Sequence, residues 1–465
     1  MSNIDHIYNR SITGEKYRPE GNVYFLGIGG IGMSALARYF NQQGVKVSGY
    51  DKTPSVLTRE LEQEGIKVHY VDDLSLIDKD ASLVVFTPAV PKEHKELEFY
   101  RNNGYNLKKR SEVLGMITRS SYNICVAGTH GKTTTSAMIA HLLRQSGFGC
   151  TAFLGGIAAN YNSNFWSSDN NVCVAEADEY DRSFLELNPD VAVITSMDAD
   201  HLDIYGSERN MQDAFIQFSK KIKKDGSLIS KKGLAREQEL IADKVLRYSS
   251  SDNTADAFAS DIAVEKGSYK YNITVRDKRI EGITLNMGGI HNVENSVAAV
   301  AVAVKLGIED DKIKSALTDF KGVKRRFEYI IRDEKMVFID DYAHHPEELR
   351  ALINGVRHLY PDRKITMVFQ PHLYSRTRDL ADAFAEVLKM ADKVLLLPIY
   401  PARELPLAGV DSNMLAERIN DGARVVEMNS LPGLIGEMKP ELLVTAGAGD
   451  IDTMLDSIKK VLTQI

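Results

Sequence analysis

The residues with the clearest chemical meaning form two glycine clusters, at 27–32 and 128–131, each placed directly after a short apolar run. Gly128-Thr129-His130-Gly131-Lys132-Thr133-Thr134-Thr135 follows Ile124–Ala127. Backbone N–H groups and a helix N-terminus in such a loop point at an anion, a lysine adds a point charge, and the next hydroxyl binds Mg²⁺. Lys132 and Thr133 stand in those places. A full phosphate-loop pattern needs a glycine at position 126, where this chain has Val126, so only the second half of the pattern is met. The alternative is a Gly/Thr turn without a ligand. Gly27-Ile28-Gly29-Gly30-Ile31-Gly32 follows Val23–Leu26, and Asp51 comes about 20 residues on, as a ribose-binding carboxylate would. That pattern fits NAD, another diphosphate-bearing nucleotide, or a tight turn without ligand. Two nucleotide sites on one chain suggest phosphoryl transfer, or ATP consumed on a nucleotide-bearing substrate.

Four further polar clusters sit where ligands bind in open α/β sheets, just past apolar strands. Glu176-Ala177-Asp178-Glu179-Tyr180-Asp181 and Asp198-Ala199-Asp200-His201-Leu202-Asp203 suggest magnesium ligands beside a triphosphate, against the alternative of solvated acidic loops. Asp340-Asp341-Tyr342-Ala343-His344-His345-Pro346 and Gln370-Pro371-His372-Leu373-Tyr374-Ser375-Arg376-Thr377 read as two loops of one site, or as ordinary loop polarity. Arg325 and Arg326 read either as phosphate-holding groups or as solvated linker charges. Asn292, in Gly289–Asn295, reads as a helix cap.

These residues need elements to hold them. Strand-like runs at Val23–Leu26, Val45–Tyr50 and Leu83–Phe86, with a helix at Met33–Gln43, predict parallel strands with crossover helices. A second series starts at Tyr122, with a helix from about Lys132 to Ser146 and strands at Val172–Ala175 and Val191–Ser196. Asn292–Gly307 reads as a helix buried on all sides. After the charged stretch 321–326, a third series has strands at Met336–Asp340, Ile365–Phe369, Lys393–Leu397 and Leu442–Ala446, with helices Pro346–Tyr360 and Ala381–Lys389. The fold class expected is α/β in three domains: a Rossmann-like N-terminal domain, a central P-loop ATPase-like domain and a C-terminal Rossmann-like domain. The boundaries expected are an arm at 1–20, then 21–114, 115–322 and 323–465.

Bulk properties agree with a soluble enzyme. The chain has 465 residues, 43% hydrophobic and 26% charged, with a net charge of −7. That acidity argues against a nucleic-acid partner. No apolar run is long enough to span a bilayer, and no signal-peptide run is seen, so a cytoplasmic location is expected. Three cysteines without metal-ligand spacing read as buried, reduced thiols.

Taken in order, Gly-Thr-His-Gly-Lys-Thr-Thr-Thr, Glu-Ala-Asp-Glu, Asp-His-Leu-Asp, His-Asn-x-x-Asn and Asp-Tyr-Ala-His-His-Pro resemble the ATP-dependent Mur ligases of peptidoglycan synthesis. The Gly-x-Gly-Gly-Ile-Gly-Met-Ser and Gln-Pro-His-x-x-Ser-Arg-Thr runs are similar to the alanine-adding branch. The resemblance implies an enzyme that joins L-alanine to the lactyl carboxylate of UDP-N-acetylmuramate through an acyl phosphate, releasing ADP and phosphate. Its rivals are a recycling ligase that attaches a tripeptide to the same sugar, an NAD-dependent oxidoreductase carrying a P-loop module, and a non-catalytic ATP-binding module.

The resemblance also assigns residues. Gly27, Gly29, Gly30, Gly32 and Ser34 would approach the UDP pyrophosphate, with Asp51 and His69 near ribose or uracil. Gly128, Thr129, His130, Gly131, Lys132, Thr133 and Thr134 would hold ATP phosphates, and His291, Asn292 and Asn295 the adenine, with Arg326 and Asp341 reaching ATP from across a cleft. Thr133, Glu176 and His201 would hold Mg²⁺, for which Mn²⁺ can substitute. Tyr342, His344, His372 and Arg376 would meet the muramyl carboxylate and alanine, with Lys132, His344, His372 and Arg376 catalytic and His344 the favoured base. Several other Mur ligases carry a carbamylated lysine some fifteen residues past the Asp-His motif; here Asp213–Ile216 stands there and no lysine comes before Lys220. The partners implied are the small-molecule substrates UDP-N-acetylmuramate, L-alanine and ATP, with the chain a monomer or homodimer.

Overall fold

The computed structural model describes residues 15–199, 202–402, 404–419 and 423–464. Contacts divide the chain into two units, one comprising 1–261, 271–283 and 294–320, the other 262–270, 284–293 and 321–465. The first unit opens with β1 (Asn22–Leu26), β2 (Val47–Tyr50), β3 (Lys67–His69), β4 (Ala81–Phe86) and β5 (Leu107–Lys109), which form a parallel sheet in the order β3-β2-β1-β4-β5. Val23 to Leu26 are fully buried, as expected of a central parallel strand covered on both faces. The helix expected at 33–43 runs Ile31–Gln42, starting earlier because the glycine turn is complete at Gly30. β3 and β5, three residues each and carrying lysines, are edge strands with no apolar run to reveal them. Of the arm expected at 1–20, residues 1–14 lie outside the described residues. Tyr17 packs its ring on Phe40 and accepts from the Tyr39 hydroxyl through its carbonyl at 3.0 Å, so this end of the arm is tied to helix Ile31–Gln42.

The second sheet has ten strands. They are β6 (Tyr122–Ala127), β7 (Thr151–Ala158), β8 (Ser163–Trp166), β9 (Val172–Glu176), β10 (Val191–Ile194), β11 (Ser227–Lys231), β12 (Lys244–Ser249), β13 (Ala257–Glu265), β14 (Ser268–Val275) and β15 (Lys278–Leu285), in the order β15-β14-β13-β12-β11-β10-β6-β9-β7-β8. β6, the strand before the phosphate-type loop, lies between β9 and β10, the strands before the two acidic loops. All three loops therefore leave one end of the sheet side by side. Cys125, Cys150 and Cys173 are free and buried, and burial pushes their thiols up, Cys150 to about 12. Helix Ile290–Lys305 is buried through Val297–Ala303, as its apolar sequence predicts. It begins two residues before Asn292, so Asn292 does not cap it. The Asn292 amide instead donates back to the Gly288 carbonyl at 2.6 Å. Residue 114, the expected end of the first domain, falls inside helix Arg110–Ser120.

The second unit holds β16 (Glu328–Arg332), β17 (Val337–Asp341), β18 (Ile365–Phe369), β19 (Lys393–Leu396), β20 (Ala423–Val425) and β21 (Leu442–Ala446), ordered β16-β17-β21-β18-β19-β20. Only β16 pairs antiparallel. The charged stretch expected as a linker is structural. Val323 is buried, and Arg325 turns inward to Asp340 at 3.3 Å and to the Gly449 carbonyl at 3.2 Å, while Arg326 stays exposed. The Thr445 hydroxyl donates to the other Asp340 oxygen at 2.6 Å. Burial nonetheless raises Asp340 to about 7, with Arg325 pulling against it.

Candidate active site

The loop after β6 is built so that only glycine fits. Gly128 has φ +142°, and a Cβ there would lie 2.1 Å from the Thr195 hydroxyl; Gly131, at φ +82°, opens helix Lys132–Gln145. The loop is pinned to the strand end beside it. The His130 amide donates to Ser196 Oγ at 2.7 Å, and the Thr195 hydroxyl donates to the His130 carbonyl. Thr129 Oγ1 lies 2.9 Å from Ser196 Oγ and accepts from the Asp198 amide. The first N–H groups of the helix have no intrahelical acceptor and face the loop's concavity. Thr134 is buried behind the loop, and the Asn295 side chain stands where a Cβ on Gly131 would come within 2.9 Å of it.

Lys132 Nζ donates to the Gly128 carbonyl and to Glu179 Oε1, both at 2.7 Å. Glu179 is wholly buried, and burial pushes its carboxyl up while Lys132 holds it down. In sequence Glu179 is one of four acids in the run 176–181, and only the fold pairs it with the loop lysine. Thr133 Oγ1 donates to Glu176 Oε1 at 3.1 Å, and the Gly155 amide donates to Glu176 Oε2 at 3.1 Å. A Cβ on Gly155 would meet that carboxylate at 2.3 Å, so Gly155 is the floor of a cradle for Glu176. A hydroxyl and a carboxylate oxygen side by side at a phosphate-type loop are the hard donors Mg²⁺ prefers, so these residues fit the ion. His201, the third expected ligand, lies outside the described residues. Among the described residues no group of three or more His, Cys, Asp or Glu stands close enough to hold a metal alone. Lys220, at the end of helix Glu208–Ser219, is exposed.

The first glycine cluster makes a second loop of this kind at the end of β1. Gly27 has φ +85°, and a Cβ on Gly29 would strike Thr58 and the Asp51 carboxylate. Asp51 Oδ2 accepts from the Gly29 amide at 2.7 Å and Oδ1 from the Thr53 amide at 3.2 Å, so this carboxylate shapes the loop. Gly30 precedes helix Ile31–Gln42, and Gly32 leaves room for the Arg110 guanidinium, 2.8 Å from where a Cβ would stand. Arg110 escaped the sequence reading because nothing in its neighbourhood marks it. It places a cation at the helix N-terminus and lies 3.6 Å from Asp178 of the acidic loop. Ser34 is buried, its hydroxyl donating to the Ile31 carbonyl and accepting from Asn164. His69 stands apart from the glycines, paired at 2.9 Å with a fully buried Glu96 that also accepts from the Tyr24 hydroxyl.

In the second unit, the loops after β17 and β18 do meet. The His344 and His372 rings lie 6.0 Å apart, Tyr342 stacks edge-on against His344, and Arg376 donates to His372 Nδ1 at 3.4 Å. His344 Nδ1 donates to the Tyr342 carbonyl at 2.9 Å, which leaves its Nε2 as an acceptor. Burial, then Arg376 and His344, pull His372 below the usual imidazole range. Gln370 is buried and ties this loop to Asp450 at 2.7 Å and to the Ile451 amide at 3.0 Å. Asp341 Oδ2 accepts from the Phe327 amide at 2.6 Å and Oδ1 from Ala343 at 2.8 Å. His291 packs over Gly289, where a Cβ would lie 2.3 Å from its ring.

Comparison with known proteins bears on all three sheets. Residues 22–122 match the family model described as Mur ligase family, catalytic domain; 126–303 match Mur ligase middle domain; 325–449 match Mur ligase, glutamate ligase domain. The chain is 48% identical over 448 residues to the UDP-N-acetylmuramate–L-alanine ligase of Flavobacterium johnsoniae, covering 95% of this chain and 98% of that one. It is 49% identical over 449 residues to the protein of the same name from Porphyromonas gingivalis, again covering 95% and 98%. The crystal structure of UDP-N-acetylmuramate-alanine ligase from Thermotoga maritima superposes with TM-score 0.82 at 28% identity, covering 95% of this chain and 99% of that one. A murein peptide ligase from Psychrobacter arcticus shares the fold, with TM-score 0.66 at 22% identity over 96% and 99%.

Proposed function

The chain belongs to the Mur ligase family, and on that premise we propose that it joins L-alanine to UDP-N-acetylmuramate at the expense of ATP, in peptidoglycan precursor synthesis. The observation that carries this reading is the likeness to alanine ligases over 95% of the chain. Family membership favours UDP over a nicotinamide dinucleotide at the first glycine loop, and an ATP-consuming ligase over a passive nucleotide-binding module.

The lactyl carboxylate attacks the γ-phosphorus of ATP, forming an acyl phosphate and releasing ADP. The alanine amine then attacks the acyl carbon, inorganic phosphate leaves with the C–O bond electrons, and the ammonium proton passes to a base. The amides of 128–133 and Lys132 hold the ATP phosphates, Lys132 staying beside Glu179, since its ammonium has three donors and these two bonds use two of them. Thr133 and Glu176 would hold Mg²⁺, which would neutralise phosphate charge. The first glycine loop, with Arg110 at its helix end, holds the UDP diphosphate. Arg376 and the neutral His372, donating from Nε2, engage a carboxylate. His344, with Nδ1 fixed on the Tyr342 carbonyl, offers Nε2 as the base. His291, Asn292 and Asn295 are proposed for the adenine, and Arg326 and Asp341 for ATP. The domain division at 21–114, 115–322 and 323–465 is proposed with the first boundary moved beyond Ser120, where its helix ends.

Phosphate release by the purified chain with ATP, Mg²⁺ and UDP-N-acetylmuramate, with L-alanine and separately with the murein tripeptide, tests the reading. Release that depends on L-alanine is expected; release that depends only on the tripeptide would assign the recycling reaction instead.

A further inference from the structure

At the opposite end of the ten-stranded sheet from the phosphate-type loop is a cavity of about 710 Å³. Its wall is made where strands begin: Tyr122 opens β6, Ser227 opens β11 and Lys244 opens β12. Lys305, the last residue of helix Ile290–Lys305, closes one side. β6 separates the cavity from Gly128 by roughly 20 Å at the rise of a strand. Ligands in open α/β sheets favour the other end, so this is not a lobe of the nucleotide site.

The charge lining this cavity is unbalanced. Lys224, Lys244, Arg276 and Lys305 face it, against Asp190 and Asp225. Asp190 is already engaged, its Oδ2 accepting from Lys223 Nζ at 2.8 Å and from the Asn123 amide at 2.9 Å. None of the four lining cations has an ion-pair partner among the described residues. Lys305 is half-buried, and burial followed by the nearness of Lys244 and Arg276 holds its ammonium below the usual lysine range. Like charges gathered in a partly enclosed space are unfavourable unless something neutralises them. Leu246, Val275 and Val304 line the same space, so one part of it is apolar.

We infer that this cavity is a second anion site, taking a small molecule that presents a phosphate or diphosphate group to Lys244, Arg276 and Lys305 and a compact apolar body to Leu246, Val275 and Val304. A dianion there draws on two or three charge-assisted hydrogen bonds from lysine and arginine. The site stands independently of the ligase reaction and of the residues proposed for it.

The test is acetylation of lysines in the full chain, read residue by residue by mass spectrometry, with pyrophosphate as the probe. Pyrophosphate at ten times its Kd should slow acetylation of Lys244 and Lys305 about tenfold, following the factor 1 + [L]/Kd. The exposed Lys335, which does not line the cavity, should keep its rate. Sodium chloride at the same ionic strength, and succinate at the same concentration, should protect much less. Lys305→Met and Arg276→Ser, which touch no group of the nucleotide loops, should each remove the protection at Lys244. Unchanged rates at Lys244 and Lys305, equal protection by chloride or succinate, or full protection of Lys244 in both variants would each overturn the proposal. Because the readout is resolved by residue, pyrophosphate bound at Lys132 does not confuse it.

Discussion

At the scale of single residues, the nucleotide loop works by contacts that can be removed one at a time. Lys132→Ala should lower ligation on the order of 10³-fold, the loss of a phosphate-clamping charge in the transition state. Calorimetry with UDP-N-acetylmuramate should show that sugar binding survives, since the first glycine loop lies on another sheet. Gly155→Ala is subtler, because it touches no ligand. Its methyl would press on the Glu176 carboxylate, so the Mg²⁺ concentration for half-maximal activity should rise about tenfold, the effect of roughly 1.4 kcal/mol. A normal metal titration in a folded Gly155→Ala protein would remove Glu176 from the metal site. Asp340 makes a prediction about pH. Its folded-state value of about 7 lies above the ordinary carboxylate value, so the folded state binds the extra proton. The stability from this group is present at about pH 4 and is lost as pH rises through 7. Melting temperatures of the wild type should therefore fall over that range, and Asp340→Asn should flatten the slope.

At the scale of elements, what could be foreseen and what could not divide along physical lines. Strands buried on both faces, such as β1, β6, β10 and β18, declare themselves as unbroken apolar runs, and the loops after them were found with them. β3, β5 and the hairpin β7–β8 did not, because short or edge strands carry polar residues and glycines that read as loop. Motif residues were legible by type and spacing. Their second partners were not: Glu179 reaches Lys132 across 47 positions, and Arg110 reaches Asp178 across 68. Arg325 and Arg326 are adjacent and equally charged, and only the turn of the backbone, with φ +59° at Arg325, sends the first inward and leaves the second exposed. The loop after β18 carries the prediction that belongs here. Arg376→Ala should lower kcat much more than it raises the KM for ATP, and Arg376→Lys should recover little, since a point charge cannot replace the planar fork. Steady-state kinetics with L-alanine would settle it, and near-normal turnover of Arg376→Ala would reduce this loop to a connection.

At the scale of the whole molecule, a buried arginine is one of the ties between the layers of the first two sheets. Arg38, in helix Ile31–Gln42, donates to Glu60 and Glu64 at the end of the helix that follows β2, and at 2.8 Å to Asn164 on β8, whose amide donates in turn to the Ile31 carbonyl. Asn164→Ala leaves a buried guanidinium N–H without its acceptor, so unfolding free energy should fall by about 1–3 kcal/mol. Trp166, the chain's one tryptophan, sits two residues away on the same strand and should report the loss in a denaturant titration of fluorescence. The three thiols of the second sheet carry a further consequence. Free, buried and held in the uncharged form, they are silent toward a maleimide while that sheet is closed. No cysteine occurs elsewhere in the chain. A chain that carries any maleimide adduct has therefore opened its nucleotide-binding sheet at least once, and the rate at which unlabelled chains disappear becomes a clock for that event, readable by mass in a crude extract and blind to whether any catalysis takes place.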